Sequence, residues 1–339
     1  MNEAGSRVKP PTLRDVAKAA GVGTTTVSRV INGGRYVAPE LLARIKGVMA
    51  ELGYKPNQFA RSLKSRRSKT IGLIIPFITD PFFAEFASEV ESVARRADYA
   101  VILATSRDMP QFEADELTIF ERHQVDGLLL VPPRSELKVV MKILRTLSVP
   151  VVAFDRPLAG RDFSSVLTNN RSAAQLAVQH LIDHGRRRIL CLGGDPSLFT
   201  IQERTEGYKS AVALAGIEPL IQHDVGDLNT IVERHITGKQ KVDAIFGLYD
   251  QPTLIAYEVT KGLRLHIPED VSLIGFGDFA FAAMLESSIT VVEQPIAELA
   301  RTATRLLLDL MQGVTRSSQQ IQIASQIKFR RSCGCEPPT

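Results

Sequence analysis

The chain has 339 residues, of which 44% are hydrophobic and none is Trp, and it carries 41 Lys and Arg against 37 Asp and Glu. A chain of this length and apolar content can bury large cores and is expected to hold two or three domains. The N-terminus is polar, and no apolar run approaches the roughly 20 residues of a membrane span. We therefore expect a cytoplasmic protein without a signal peptide.

Charge is distributed unevenly along the chain. Residues 1–69 hold 14 Lys and Arg but four Asp and Glu, a net charge of +10, so the remaining 270 residues sum to −6. A basic segment on a mildly acidic body suits binding to the phosphate backbone of DNA. A membrane surface would attract the same charge, but the segment shows no basic amphipathic helix with a Trp or Phe face.

The segment TLRDVAKAAGVGTTTVSRVIN, residues 12–32, fits a helix-turn-helix DNA-binding unit. Thr12 is a suitable N-cap, and Asp15 can complete an acidic variant of the capping box. Gly21 ends the first helix. On the second helix the periodicity turns Val27, Val30 and Ile31 to the core and Thr24, Thr25, Ser28 and Arg29 outward. An ordinary helical hairpin is the alternative, and the scarcity of acidic charge on the free face argues against it.

A third helix and a basic linker follow. Pro39 suits the first turn of a helix that ends at Gly53. Pro56 then interrupts the chain, and Asn57 can cap the short segment QFARSLKSRR. Because a helix of about ten residues is marginal alone in water, we expect this linker to be frayed until something supports it.

From residue 69 onward, apolar runs alternate with helical patterns. Continuous apolar runs, typical of parallel strands buried on both faces, occur at 70–76, 100–106, 125–133, 149–156, 188–194, 243–250 and 271–278. This alternation indicates doubly wound α/β sheets, and its two runs indicate two similar subdomains. Ligands bind beyond the carboxyl ends of such strands, so a cleft between the subdomains is the expected ligand site.

The sequence gives little support for a catalytic site or a metal site. No GxGxxG, P-loop or GxSxG motif occurs, and His123, His180, His184 and His235 fall on charged helix faces or at helix ends rather than beside a nucleophile. Cys333-Gly334-Cys335 offers two thiols, short of a four-ligand zinc site. We therefore predict no catalytic residue, cofactor or metal. Reduced thiols are expected at Cys191, Cys333 and Cys335, with a C-terminal redox or metal role as the lesser alternative.

Eight segments stand out in order along the chain: TLRDVAKAAGV, TTVSRVIN, GYKPNQFARSLKSRRSKTIGLIIP, VDGLLL, RTEGY, IPEDVSLIGFGD, VEQP and FRRS. In this order and spacing they resemble the lactose-repressor (LacI/GalR) family of bacterial transcription factors. The resemblance implies an all-α helix-turn-helix headpiece at 1–55, a hinge helix at 56–68, and an α/β periplasmic-binding-protein-like core at 69–339. The core would comprise two doubly wound parallel-sheet subdomains, one at about 69–168 plus 299–327 and one at about 169–298 plus 328–335.

The resemblance also implies function: a transcriptional regulator, expected to be a repressor, that binds a palindromic double-stranded DNA operator as a homodimer. Arg29 matches a base-reading position and can donate two hydrogen bonds to guanine. Leu63 matches a hinge leucine that is wedged into the minor groove, with basic neighbours on the phosphates. The DNA-binding residues implied are Thr12, Thr24, Thr25, Ser28, Arg29, Asn32, Asn57, Arg61, Leu63 and Lys64.

A small carbohydrate-like effector is implied in the cleft. The matching residues are Phe82, Phe83, Asp155, Arg204, Tyr249 and Asp250. Tyr249 and Gly277 stand where the family commonly has Asn and Asp, and Leu198 stands where the purine repressor has an arginine, which argues against a purine. Each residue also has a structural alternative: a loop cap for Asp155, an ion pair with Asp195 or Glu206 for Arg204, and core packing for the two Phe.

Two other functions remain open at this stage. One is a cytoplasmic sugar-binding protein, and the other is an enzyme with a two-lobed α/β core. The missing signal peptide and the basic headpiece argue against a secreted sugar-binding protein. After FRRSCGCEPPT no leucine-heptad tail follows, so a dimer rather than a tetramer is expected.

Overall fold

The computed structural model describes residues 11–31, 37–54, 67–132, 138–158, 162–223 and 227–335. Contacts between Cα atoms divide the chain into two compact units, 1–68 and 69–339. Each unit has its own hydrophobic core. No described helix combines the length and the apolar character needed to cross a membrane.

The first unit contains three described helices, α1 (Leu13–Ala19), α2 (Thr24–Ile31) and α3 (Pro39–Glu51). The predicted capping box is present: the Asp15 backbone N–H donates to the Thr12 hydroxyl at 3.4 Å, and the Thr12 backbone N–H donates to the Asp15 carboxylate at 2.8 Å. Gly21 turns the chain between α1 and α2 with a φ of +62°. Val16, Val27 and Ile45, one from each helix, are fully buried together.

Part of the DNA-binding prediction lies outside the described residues. This holds for Asn32, which follows α2, and for Asn57, Arg61, Leu63 and Lys64 in the linker.

The second unit is built on two six-stranded sheets. The first has the order β11-β5-β4-β3-β1-β2 and is parallel throughout. Its strands are β1 (Thr70–Ile75), β2 (Ala100–Thr105), β3 (Gly127–Leu130), β4 (Val151–Phe154), β5 (Ser164–Thr168) and β11 (Gln320–Ile323). Its helices are α4 (Pro81–Arg96), α5 (Pro110–Arg122), α6 (Lys138–Thr146) and α11 (Ile296–Gln312).

The second sheet has the order β12-β10-β9-β8-β6-β7. Its strands are β6 (Ile189–Leu192), β7 (Leu220–Gln222), β8 (Ala244–Gly247), β9 (Ser272–Phe276), β10 (Thr290–Glu293) and β12 (Gln326–Lys328). Its helices are α7 (Asn170–Asp183), α8 (Phe199–Leu214), α9 (Leu228–Thr237) and α10 (Asp250–Gly262), followed by a 3-10 turn at Arg331–Cys333. The doubly wound α/β prediction is confirmed, with one refinement: edge strand β12 runs antiparallel to β10.

The chain passes between the two sheets three times: from β5 to α7, from β10 to α11, and from β11 to β12. Helix α11 packs on α4 and on strands β3, β4 and β5, which places it with the first sheet. Each subdomain therefore contains strands from distant parts of the sequence. The carboxyl ends of the parallel strands, where ligands bind in such sheets, carry the side chains described next.

Candidate functional site

Arg204 on α8 is one of the residues predicted to bind the effector. Its side chain is buried, with the residue 6% exposed. Nε donates to Asn170 Oδ1 at 2.8 Å, and Nη1 donates to the Leu248 carbonyl at 2.7 Å. The guanidinium carbon lies 3.8 Å from the centroid of the Phe276 ring, a cation–π arrangement. The alternative of an ion pair with Asp195 or Glu206 is not what the structure shows, because Asp195 caps Ser197 and Glu206 pairs with Lys209.

Three carboxylates lie within electrostatic range of this arginine. Burial lowers the pKa of Arg204 to about 10, against the opposing effect of Asp155, Asp250 and Asp80. Asp80 and Asp155 belong to the first subdomain, and Arg204 and Asp250 to the second. Residues from both subdomains thus lie close enough to interact through their charges, which defines a shared polar site.

Asp155 follows the last residue of β4 and is 5% exposed. Its φ of +62° is unusual for a residue other than glycine and turns the chain sharply at the strand end. Burial raises the pKa of this carboxyl, while the neighbouring positive charges of Arg156 and Arg204 lower it. Arg156 Nε lies 3.6 Å from Asp155 Oδ2, and Arg156 Nη2 donates to Asp108 Oδ2 at 3.2 Å. Asp155, Arg156 and Asp108 therefore form a largely buried row of alternating charges.

Asp80 is a site residue that the sequence analysis missed. It is the N-cap of α4 and accepts a hydrogen bond from the Phe82 backbone N–H at 2.9 Å. Burial raises the pKa of Asp80, and the negative charges of Asp250 and Asp155 add to the effect. The signal was present in the sequence, since Asp followed by Pro at the carboxyl end of a strand is typical of a helix start. Asn170 and Phe276, which also contact Arg204, were missed as well.

The aromatic candidates occupy different environments. Phe83 is 5% exposed and packs in the first subdomain's core, whereas Phe82 is half-buried against the same core. Their rings meet edge to face with centroids 5.0 Å apart. Tyr249 is the N-cap residue of α10 and packs at the edge of the second core. Phe82 and Tyr249 are therefore the aromatic candidates that core packing leaves partly exposed.

Gly277, which follows Phe276 at the end of β9, has open space beside it. Its φ is +94°, and no atom lies within 4 Å of the position that a Cβ would occupy. The next residue does not fill the gap, because Asp278 pairs with Arg330, whose Nη2 lies 2.8 Å from Asp278 Oδ2, and with Lys328. Position 277 therefore leaves empty space and supplies no polar side chain.

At the other end of the chain, α2 presents a polar face. Thr24, Thr25 and Arg29 are exposed, and Ser28 is half-buried, while Val27 is fully buried. This is the arrangement that a helix needs in order to rest one face on its own domain and offer the other to base edges.

Comparison with known proteins decides the family. Residues 12–57 match the model of bacterial regulatory proteins of the lacI family, and residues 178–333 match a periplasmic binding protein-like domain. The ribose operon repressor of Haemophilus influenzae is 32% identical over 95% of this chain and 98% of its own length. The chain belongs to the LacI family of bacterial regulatory proteins.

Solved structures agree with this assignment. A complex of the transcriptional regulator CelR with cellobiose is 30% identical, covers 95% of this chain and 99% of its own, and has a TM-score of 0.72. The lac repressor dimer bound to operator and the anti-inducer ONPF is 23% identical, covers 96% of this chain and 99% of its own, and has a TM-score of 0.85, which confirms the fold of this LacI-family protein.

One sequence interpretation needs correction. His180 and His184 were placed at a helix end away from any nucleophile, and a zinc site was set aside because only two thiols were near each other. In the structure both imidazoles lie against Cys335, with each Nε2 at 3.4 Å from the Cys335 Sγ. The sequence separation of about 150 residues hid this contact, which only the packing of α7 on the C-terminal turn creates.

Proposed function

We propose that this LacI-family protein is a repressor that binds a palindromic operator through α2 and the linker, and that a neutral sugar in the cleft controls it. The observation that carries the effector part is the buried guanidinium of Arg204, bonded to Asn170 and the Leu248 carbonyl, within electrostatic range of Asp155 and Asp80 of the other subdomain. A sugar hydroxyl both donates and accepts hydrogen bonds, so carboxylates and a guanidinium together match a polyol. Contacts from both subdomains let a ligand favour one relative arrangement over another.

The charge of the site favours a neutral ligand over an acidic one. Three carboxylates act electrostatically on Arg204, while Arg156 is already paired with Asp108. A sugar acid or sugar phosphate would place further negative charge beside these carboxylates, and like charges repel strongly in a buried site. The open space at Gly277 and the aromatic ring of Tyr249 suit a ligand larger than a plain hexose, such as a glycoside or disaccharide.

For DNA, the proposed base-reading residues are Thr24, Thr25 and Arg29. Ser28 and Asn32 are assigned to phosphate contacts, and Thr12, through its place at the start of α1, to positioning. In the linker, Leu63 is the proposed minor-groove wedge, with Asn57, Arg61 and Lys64 on the backbone. The proposed division is a headpiece at 1–55, a hinge at 56–68 and a core at 69–339.

A homodimer is part of the proposal. The core exposes large apolar side chains in the first subdomain at Leu103, Met109, Phe112 and Ile119, and in the second at Phe281 and Met284. Where such side chains form a contiguous patch, the patch is typical of a surface that another chain covers. Two headpieces side by side would read the two halves of a palindrome.

The proposal includes a cytoplasmic location and no catalytic activity. It is supported by the relative that is 32% identical over 95% of this chain, which is an operon repressor. An enzyme or a free sugar-binding protein would need neither the helix-turn-helix unit nor the basic linker.

The test combines ligand screening with DNA binding. Neutral glycosides and disaccharides, sugar acids and sugar phosphates are screened by thermal shift on the full chain, where a ligand at about 100 times its Kd adds ~2.7 kcal/mol of stability. We expect hits among the neutral sugars. A hit should then change the affinity for an operator, selected from random palindromic DNA, by roughly 5- to 150-fold. Ligand affinity that is unchanged in both Asp155→Ala and Arg204→Ala would place the effector elsewhere.

A further inference from the structure

Two thiols and two imidazoles meet where the C-terminal turn packs on α7. The ligand atoms of His180, Cys333 and Cys335 all lie within 4.8 Å of one another. Nε2 of His184 lies 3.4 Å from the Cys335 Sγ, the same distance as Nε2 of His180. Cys333 is fully buried, His180 and Cys335 are half-buried, and His184 is exposed. The cluster lies in the second subdomain, apart from the residues that surround Arg204.

Local structure explains the two imidazoles. His180 is in the last turn of α7, and His184 is the C-cap residue of this helix. Residues four apart lie on the same face of a helix. The rings are 4.2 Å apart between centroids, and the His180 ring also packs at 4.6 Å on the ring of Phe329. Both side chains are thereby directed to the same side, toward the C-terminal segment.

The two thiols are held by the turn that follows β12. Ser332 donates its hydroxyl to the Leu273 carbonyl and accepts from the Thr290 backbone N–H at 2.8 Å, which anchors the turn on the second sheet. Gly334 has a φ of +99°, a conformation that favours glycine, and it reverses the chain between the two cysteines. The thiols of a Cys-Gly-Cys segment thus reach the same point from both sides of the turn.

The orientation of His184 is that of a metal ligand. Its Nδ1 lies 2.9 Å from the His180 backbone carbonyl, an acceptor, so in the neutral ring that binds a metal Nδ1 carries the hydrogen and the lone pair is on Nε2. In metal sites a ligand His characteristically donates its second ring N–H to a carbonyl or carboxylate. Here the free lone pair is on the nitrogen that faces the Cys335 sulfur.

We propose that His180, His184, Cys333 and Cys335 form a structural zinc site. Two thiolates and two imidazoles are one of the usual ligand sets of tetrahedral Zn²⁺. With Zn–S near 2.3 Å and Zn–N near 2.0–2.1 Å, a tetrahedral angle places S and N about 3.5 Å apart, close to the 3.4 Å observed for both Cys335 contacts. His184, which is exposed and lies 3.4 Å from Cys335 Sγ, would supply the fourth ligand after its side chain moves toward the other three.

Binding replaces two thiol protons by the metal. Each Cys S–H loses H⁺ as its sulfur forms the bond to Zn²⁺, so up to two protons are released to solvent and no electron is transferred. The ion would join the end of α7 to the C-terminal turn. Because all four ligands come from one subdomain, the site stabilises that subdomain and leaves the cleft free to move.

The test uses the full chain purified under reducing conditions, freed of metal with a chelator, and then titrated with Zn²⁺ or Co²⁺ alone. We expect one equivalent of Zn²⁺ to bind with a submicromolar Kd and to raise the melting temperature. Co²⁺ should give the absorption of a tetrahedral centre with thiolate-to-metal charge transfer. Zn²⁺ should protect Cys333 and Cys335 from alkylation, with proton release measurable in weak buffer.

The variants are Cys335→Ser, His184→Ala and, as a matched control, His123→Ala, which removes an exposed imidazole at the end of α5. We expect Cys335→Ser and His184→Ala to weaken Zn²⁺ binding by roughly 100-fold or more and His123→Ala to leave it unchanged. His184 is exposed, so its variant should fold normally and circular dichroism will check this. Zn²⁺ binding that is equally tight in all three variants, a Kd weaker than about 10 µM in the parent chain, or a Cys333–Cys335 disulfide that persists under reduction would overturn the proposal.

Discussion

The side chain of Arg204 is fixed to Asn170 through a hydrogen bond of 2.8 Å from Nε to Oδ1. Asn170 is the first residue of α7 and follows β5 at the point where the chain passes from the first subdomain to the second. Its own amide nitrogen donates to the Thr168 carbonyl at 3.4 Å. Arg204 is thus tied to one of the three crossing segments, so a ligand bound to Arg204, as proposed, would also act on that segment.

Replacing Arg204 by Ala should abolish the sugar response and destabilise the core by about 2–4 kcal/mol. The variant leaves the Leu248 carbonyl and the Asn170 amide without their donor and the nearby carboxylates without their counter-charge. Urea unfolding followed by circular dichroism measures the change. The control is Arg171→Ala, which removes an exposed ion pair to Glu203 and should cost less than about 1 kcal/mol. Equal losses in both variants would contradict a central role for Arg204.

Glu113 on α5 gives the core a pH-dependent stability. Burial, reinforced by the negative charge of Asp108 and opposed by Arg156, raises the pKa of this carboxyl from 4.5 to about 8. Between these two values the unfolded chain loses the proton while the folded chain keeps it, so the free energy of unfolding falls as pH rises through this window. Glu113→Gln carries no titrating proton and should lose this decline.

The advantage of Glu113→Gln over the parent chain should therefore grow by an amount on the order of 3 kcal/mol between pH 5 and pH 8 and change little above that. Urea unfolding at several pH values measures it. Glu121→Gln, an exposed substitution on the same helix, serves as the control and should show no such trend. A constant difference between Glu113→Gln and the parent at all pH values would disprove the interpretation.

The comparison of sequence and structure shows where local patterns suffice. Strands such as β1 and β9 are buried on both faces, so their continuous apolar runs identified them. Strands β11 and β12, with the sequences QIQI and QIK, carry alternating polar residues at sheet edges and gave no such signal. Edge strands form because of the partner strand, which a local window does not contain.

In the candidate site, too, local sequence patterns revealed some features, and others depended on distant parts of the chain. Asp155 and Arg204 could be selected because they match family motifs at strand ends and on the following helix. The contacts of Arg204 could not be predicted, because Asn170 and Leu248 lie 34 and 44 residues away along the chain. Glu206, which is close to Arg204 in the sequence, was a candidate ion-pair partner for it, but in the structure Glu206 pairs with Lys209.

Replacing Arg29 by Ala should remove base discrimination rather than general DNA affinity. The side chain is exposed on the polar face of α2, where it can donate two hydrogen bonds to one guanine. We expect a loss of ~1–3 kcal/mol at one base pair of each half-site, measured by fluorescence anisotropy with single-base operator variants. Lys9→Ala, a change at a basic residue of the N-terminal segment, should instead weaken binding to all sequences and reduce the salt dependence. An equal loss on operator and random DNA for Arg29→Ala would show that it contacts phosphate only.

Gly207 allows α7 and α8 to pack closely. A Cβ at this position would lie 2.2 Å from the Arg171 carbonyl oxygen and 2.9 Å from the Ala174 Cβ. Gly207→Ala should destabilise the core by about 1–3 kcal/mol, because a backbone atom cannot move aside as a side chain can. Gly262→Ala is the matched control, since its Cβ would meet no atom within 4 Å and should be neutral or slightly stabilising. Thermal or urea unfolding distinguishes the two, and similar stability would argue against tight helix packing.

Strands β11 and β12 are synthesised late, and this affects the order in which the parts of the chain can fold. Helices α1 to α3 are complete by residue 51, whereas the two sheets receive their last strands at residues 320–328. At a synthesis rate of about 5–20 residues per second, the headpiece can close its core roughly 15–50 s before either half of the effector core is complete. For that interval the ribosome would carry a basic DNA-binding unit with a closed core on an unfinished α/β body whose apolar strands still lack their partners.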